Sequence, residues 1–425
     1  MKVKMKDSGI EWIGEIPEDW KVVYLSSICS EHKRKNTGLV CKNLLSLSYG
    51  EIKRKDINTT DGLLPESFEG YNIIEKGDIV LRLTDLQNDQ RSLRTGIAHE
   101  TGLITSAYVT IRCLPNVACP YYIHYYLHSF DISKGFYGMG DGVRQGLNYA
   151  GIRKIMMLIP PMKTQQQIAA YLDKKCALVE RLIENQRRQI EKLKEYKQSV
   201  ITETVTKGLD HSVPMKDSGI EWIGKIPEDW KIARLKYVCK INPSINLDVS
   251  EYEFVGYVPM ECVKNGYVES REIAIQQLNS GLTAFKNGDI VMAKVTPCFE
   301  NGNIAIVSDL KNGVGYGSSE LFVFRPIAIR TKFLFYFLRN HLFMEYAKST
   351  MTGTGGLKRV SPTFIKSLRI ACPNVSEQQQ IAAYLDKKCA EIDALIAIKQ
   401  QKIDKLQEYK KSLIYEYVTG KKEVL

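Results

Sequence analysis

The sequence predicts an α+β chain with an internal pseudo-twofold repeat, in which two long helices forming an antiparallel coiled coil separate two β-rich mixed domains. Three observations predict it. The opening MKDSGIEWIG at residues 5–14 returns at 215–224, and the match runs on through IPEDWK with Glu15 replaced by Lys225. The stretch QQQIAAYLDKKCA at 165–177 returns at 378–390. After each of these glutamine runs, apolar residues recur every 3.5 positions, the period of a coiled-coil seam. An identity this long does not arise by chance, so the plan is a duplication.

In chain order the boundaries fall at 1–160, 161–210, 211–372 and 373–425: domain, helical spacer, domain, helical spacer. The domains keep landmarks in order while differing in detail. EKGDIVLRLTD (75–85) answers KNGDIVMAKVT (286–296), TSAYVTIRCLP (105–115) answers SSELFVFRP (318–326), and YYIHYYLHSF (121–130) answers FLFYFLRNHLF (333–343). Gly77-Asp78 and Gly288-Asp289 are turn dipeptides followed by β-branched runs, so each predicts a strand. YVTIRCL and LFVFRPI have the β-branched and aromatic character of further strands. One aromatic-rich segment per half has helical length and spacing. All four tryptophans, Trp12, Trp20, Trp222 and Trp230, lie in the repeated openings. Base stacking is one use for them; anchoring the opening arm to its domain explains their placement better.

Each spacer opens after proline with a capping-box pattern, Thr164 with Gln167 and Ser376 with Gln379. The seam of the first helix then reads Val179, Ile183, Gln186, Ile190, Leu193, Lys197 and Val200. That of the second reads Ile392, Ile396, Lys399, Ile403, Leu406, Lys410 and Leu413. An isolated amphipathic helix of this length is marginal, and its own copy is the natural partner. Antiparallel pairing keeps both connections short, with Ile190 opposite Ile403 and a domain at each end. Polar seam residues usually fix register and orientation.

The chain has 425 residues, 44% of them apolar, enough for a sizeable core. No signal-type or membrane-spanning run is present, which points to a cytoplasmic protein. The ten cysteines show no CxxC pair and no zinc-type Cys/His spacing, so they read as reduced thiols. The net charge of +11 favours a polyanionic partner, and it is spread along the chain rather than held in a tail. There is no Walker A loop, no strand-linked GxGxxG and no HExxH. Nothing in the sequence reads as a catalytic site or a metal site. Glycine-rich stretches at 135–145 and 351–359 occupy equivalent places and end in Arg144-Gln145 and Lys358-Arg359. Glycine permits close approach to a surface, while arginine and glutamine can read base edges; ordinary surface loops account for them equally well.

Taken together, the openings EIPEDWKVVYL and KIPEDWKIARL, KGDIV and NGDIV, the prolines leading to QQQIAAYLD, and the ending TGKKEVL resemble the DNA-specificity (S) subunit of a type I restriction–modification enzyme. The first helix departs from the family pattern with Thr164-Gln165, where the second has Glu377-Gln378. The resemblance implies a non-catalytic DNA-binding chain whose two domains are target recognition domains. Each would read one half of a bipartite double-stranded DNA target with an unspecified gap. It implies two methyltransferase (M) subunits as partners, carrying S-adenosylmethionine, and restriction (R) subunits using ATP and Mg. No cofactor is expected in this chain. On that view the repeated letters are frame and the unlike stretches are readers. The loops following the Gly-Asp turns then offer Arg82, Thr84, Arg91, Arg94, Lys294 and Thr296 as DNA contacts, beside Arg144, Gln145, Lys358 and Arg359. The alternative from another class is a non-catalytic coiled-coil adaptor that binds proteins rather than DNA.

Overall fold

The computed structural model describes residues 4–57, 65, 67–86, 93–139, 146–245, 253–354 and 356–424. The chain divides into two compact units, Met1–Gln186 with Gln401–Leu425, and Arg187–Gln400. The two long helices run over Met162–Lys207 and Val375–Val418. Each helix contributes one half to each unit, so neither spacer stands as a unit of its own.

In the first unit the repeated arm forms the hairpin Met5–Asp7 with Glu15–Pro17, and Lys21–Tyr24 pairs with Met156–Ile159. The central antiparallel sheet has the order Cys29–Glu31, Val109–Cys113, Ile79–Leu81, Thr95–Ile97. The strands after the Gly-Asp turn and through VTIRC are therefore present. Asn72–Ile74 pairs with Gly102–Ile104, and Leu45–Ser48 with Glu51–Arg54. The aromatic helix Pro120–Ile132 packs Tyr122, Ile123, Tyr126 and Leu127 into a core shared with Leu413, Ile414 and Val418 of the second long helix.

The second unit repeats this plan with the sheet Cys239–Ile241, Leu321–Pro326, Ile290–Ala293, Ile304–Ile306. A second sheet joins Arg271–Ala274, Phe254–Val258, Val314–Gly317 and Thr283–Lys286. Its aromatic segment departs from the single helix expected. It breaks into Thr331–Phe337 and His341–Ser349, because Asn340 accepts from the Phe343 N–H at 2.9 Å and starts a new helix. The apolar spacing through 333–343 does not register that cap.

The tryptophans act as anchors. Trp20 and Trp230 are buried, set edge-on against Tyr122 and Phe333. Trp12 lies among Tyr126, Phe130 and Tyr415, and Trp222 against Phe337, Phe343 and Tyr346. Trp230 Nε1 donates to Glu377 at 3.0 Å; Thr164 stands at the matching place in the first copy and supplies no carboxylate.

The helix starts differ from the capping boxes expected. The helices begin at Met162 and Val375, two and one residues earlier, and Asn374 accepts from Glu377 N at 2.9 Å. The first glutamine that follows is buried in each copy. Gln165 accepts from Cys119 N and donates to the Pro160 carbonyl, and Gln378 does the same with Arg330 N and the Pro373 carbonyl. This pair of bonds ties each long helix to its domain and accounts for the first glutamine of the repeated run.

Within each unit the helices pair antiparallel. In the first, Tyr171 packs on Tyr417 and Glu180 on Lys410, so the number on one helix rises as the other falls. In the second, Gln189 meets Lys399 and Lys197 meets Asp393. Val179, Ile183, Ile190, Ile392 and Ile403 are buried, and Leu193, Ile396 and Leu406 half-buried. The 3.5-residue seam is the buried face.

Candidate nucleic-acid interface

The Gly-Asp turn is built as frame in both copies. Gly77 and Gly288 take φ values of 94° and 88°, which favour glycine. The aspartate beside each is 1% exposed. Asp78 accepts from Glu75 N at 2.7 Å and from Arg112 at 2.7 and 2.8 Å. Asp289 accepts from Lys286 N at 2.9 Å and from Arg325 at 2.8 and 2.6 Å. In both cases the hydrogen-bonded carboxylate raises the guanidinium pKa above its ordinary value. Sequence reading missed these pairs, although both members sit in repeated strings (KGD with TIRC, NGD with VFRP). The pair locks the strand from which the loop departs.

The loops that leave those strands meet the ends of the glycine-rich stretches. In the second unit the Thr296 hydroxyl donates to the Gly356 carbonyl at 2.6 Å and accepts from Lys358 N at 2.9 Å. Val360 N donates to the Lys294 carbonyl at 2.9 Å, and Val295 bridges Arg359. Arg359 Nε and Nη2 lie 3.1 Å from the Glu320 carboxylate. Lys294 Nζ donates to the Ser319 carbonyl at 2.6 Å, 5.7 Å above the Phe322 ring. Lys294, Thr296, Lys358 and Arg359 thus belong to one joined loop cluster, with Lys358 and Arg359 exposed. The first unit repeats the join: Leu147 N donates to the Leu83 carbonyl at 2.8 Å, directly between Arg82 and Thr84.

Two residues expected to touch DNA do not lie at a surface. Arg94 is fully buried: its guanidinium donates to the carbonyls of Arg82, Thr84 and Asp85 at 3.1, 2.8 and 3.3 Å, and to the Tyr137 hydroxyl at 3.2 Å. A side chain spent on the carbonyls of the 82–85 turn shapes the loop from inside and cannot reach a duplex. Thr296 is 8% exposed and serves as the tie just described. Arg82 is half-buried and Thr84 exposed. Arg91, Arg144 and Gln145 lie outside the described residues. Among the described residues no group of three His, Cys, Asp or Glu is placed to hold a metal, and no helix is long and apolar enough to cross a membrane.

Residues 227–408 match the family model described as the type I restriction modification DNA specificity domain. Over nearly its whole length the chain aligns with the type I restriction enzyme MjaVIII specificity subunit of Methanocaldococcus jannaschii, 25% identical over 420 residues, covering 96% of this chain and 93% of that protein. Residues 227–408 thus carry a type I DNA-specificity domain, and the chain along nearly its whole length is similar to a type I specificity subunit. A stronger but shorter match is to the type I restriction enzyme EcoAI specificity subunit of Escherichia coli, 38% identical over 162 residues. It covers 37% of this chain and 27% of that protein, so the match spans about a quarter of that relative's length. The fold of this chain is similar to a solved structure titled "Structural basis underlying complex assembly and conformational transition of the type I R-M system". The TM-score is 0.71 at 14% identity, covering 95% of this chain and 98% of the other.

Proposed function

We propose that this chain is the sequence-reading subunit of a type I restriction–modification complex. Each unit reads one half of a bipartite double-stranded DNA target. The chain directs two methyltransferase subunits, and restriction subunits with them, to that target and is not itself a catalyst. The observation that carries this reading is the joined loop cluster. In both units a loop held by a buried Asp–Arg pair meets the end of a glycine-rich stretch, and the sequences of these loops differ between units while the frame beneath them does not. That is the arrangement a reader of two unlike half-sites requires. S-adenosylmethionine on the methyltransferase subunits would supply the methyl group, and ATP and Mg would serve the restriction subunits; this chain's residues position DNA.

The long helices support the partner assignment. Leu182 and Leu395, and Tyr196 and Tyr409, are large apolar side chains left exposed at matching places in the two copies. Equivalent exposed apolar residues suit two copies of one partner.

Co-expression of the chain with its methyltransferase subunit, followed by methylome sequencing, tests the reading. The expected motif has two specified parts separated by unspecified bases, and exchanging the loop residues of one unit should alter only one part. A single uninterrupted motif, or no motif, would overturn it.

A further inference from the structure

Two hairpins, one in each unit, carry an exposed tyrosine at the tip. In the first unit the strands Leu45–Ser48 and Glu51–Arg54 are joined by Tyr49 and Gly50 alone, with φ values of 48° and 82°. Positive φ at both positions is the type I′ pattern, which favours Asn-Gly and crowds a bulky residue at its first position. Tyr49 nevertheless stands there, 81% exposed, so no packing inside the unit offsets the crowding. Exposed strain of this kind is characteristic of functional positions.

In the second unit the strands Phe254–Val258 and Arg271–Ala274 pair antiparallel, and the chain between them closes into its own tip. Val263 bridges Val268, Lys264 N donates to the Tyr267 carbonyl at 2.9 Å, and Gly266 has φ of 105°. Tyr267 is 56% exposed.

Topology makes the two hairpins equivalent. In each, the first strand runs parallel to the strand paired with the chain just before the Gly-Asp turn. Leu44 bridges Leu103 of Gly102–Ile104, which pairs with Asn72–Ile74. Phe254–Val258 pairs in parallel with Val314–Gly317, which pairs with Thr283–Lys286.

Each tip also abuts the equivalent strand of its own unit. A Cβ on Gly50 would meet Leu93 at 3.1 Å, beside the strand Thr95–Ile97. Gly266 N donates to the Ile304 carbonyl at 2.9 Å, at the start of the strand Ile304–Ile306. These strands close the loops that begin at Arg82 and Lys294, so each exposed tyrosine lies at the end of a reader loop.

We propose that Tyr49 and Tyr267 are DNA-contacting side chains, each ring lying against a sugar or base edge of the half-site that its own unit reads. The inference rests on the DNA-reading role argued above. A neutral ring adds contact without releasing counterions, so it strengthens binding without steepening the salt dependence.

The test uses the chain assembled with its methyltransferase subunits and a labelled duplex carrying the motif found by methylome sequencing. Affinity is measured at about 50 and 200 mM salt. Tyr49→Asn and Tyr267→Asn suit positive φ or an exposed tip and leave the hairpins folded; Tyr49→Gly replaces the first if melting shows that it does not fold. Each should bind about tenfold more weakly with an unchanged salt slope, while Tyr49→Phe should stay within threefold of the parent. Asparagine variants within threefold of the parent, a salt slope reduced as for a lost phosphate contact, or a phenylalanine variant as weak as asparagine would each overturn the assignment. If the parent complex does not prefer the motif duplex to a scrambled one, the DNA-reading role itself falls; if it does and only the tyrosine variants are silent, the tyrosine assignment alone falls.

Discussion

The ammonium of Lys197 lies 2.6 Å from the carboxylate of Asp393 on the opposite long helix. The first unit holds the counterpart, Lys410 Nζ at 2.6 Å from Glu180 Oε1. Both lysines occupy seam positions where an apolar residue would pack more favourably. Each is held at the seam edge, 17% and 27% exposed, by an acid one position past a buried seam residue, Ile392 or Val179. Such a pair adds little net stability. It does penalise every pairing in which the lysine lacks its acid, and so it selects the antiparallel register.

Reversing one partner should therefore expose that penalty. Lys197→Glu places two carboxylates together and should cost about 1–2 kcal/mol, whereas Lys197→Glu with Asp393→Lys should recover most of the loss. Urea denaturation of the four species gives the coupling directly. Independent, additive effects would show that the pair does not select the register.

The buried aspartates of the Gly-Asp turns make a sharper demand. Arg325→Ala would leave the Asp289 carboxylate buried without its guanidinium. Breaking a buried pair costs about 3–5 kcal/mol, and the partial exposure of Arg325 (19%) sets the expectation near the lower end, about 3 kcal/mol. Denaturant midpoints check it; a loss below about 1 kcal/mol would remove these pairs from the frame.

The features legible in the sequence were those carried by local periodicity or by repetition. The seam was legible because Val179, Ile183, Ile392 and Ile403 recur at a fixed interval, and the turns because glycine and aspartate have strong local preferences. Arg94 was not legible. An arginine in a loop reads as exposed, and what buries this one is Tyr137 together with the carbonyls of residues 82–85, brought to it only by the folded sheet and helix. The break at Asn340 was hidden in the same way, since its cap lies inside a continuous aromatic run. Tyr49 escaped notice because Tyr-Gly is not the usual signature of a tight hairpin turn.

Acid should loosen the first unit. His128 is buried on the aromatic helix, near Thr95 Oγ1, His124 and the Lys410 ammonium. Burial, reinforced by its cationic neighbours, pushes its pKa down to about 3, and burial likewise pushes that of the half-buried His124 down to about 4. The unfolded chain takes up these protons below about pH 6.5, while the folded chain does not until far lower. Stability is thus complete above pH 6.5 and falls as pH drops toward the folded values. His128 alone should account for about 2 kcal/mol of loss by pH 5. Urea denaturation at pH 7 and pH 5 should show a smaller loss for His128→Gln than for the parent; equal losses would clear His128 of the effect.

Arg94 and Lys358 separate the two ways in which an arginine or lysine can serve a reader loop. Arg94→Ala deletes the hydrogen bonds to the Tyr137 hydroxyl and to the carbonyls of Arg82, Thr84 and Asp85. It should destabilise the first unit by about 3 kcal/mol. Any loss of DNA binding by that variant should follow the loss of fold and be recovered on cooling or with a stabilising osmolyte. Lys358 is exposed on the joined loop cluster of the second unit. Lys358→Ala should leave stability within about 0.5 kcal/mol while weakening binding to all duplexes, and should lower the salt slope by about one charge if the ammonium meets a phosphate. If it meets a base edge, the loss should instead fall on one position of one half-site, visible as a relaxed letter in the methylome motif. Unchanged affinity, slope and motif would take Lys358 off the DNA surface and with it the assignment of the 351–360 loop as a reader.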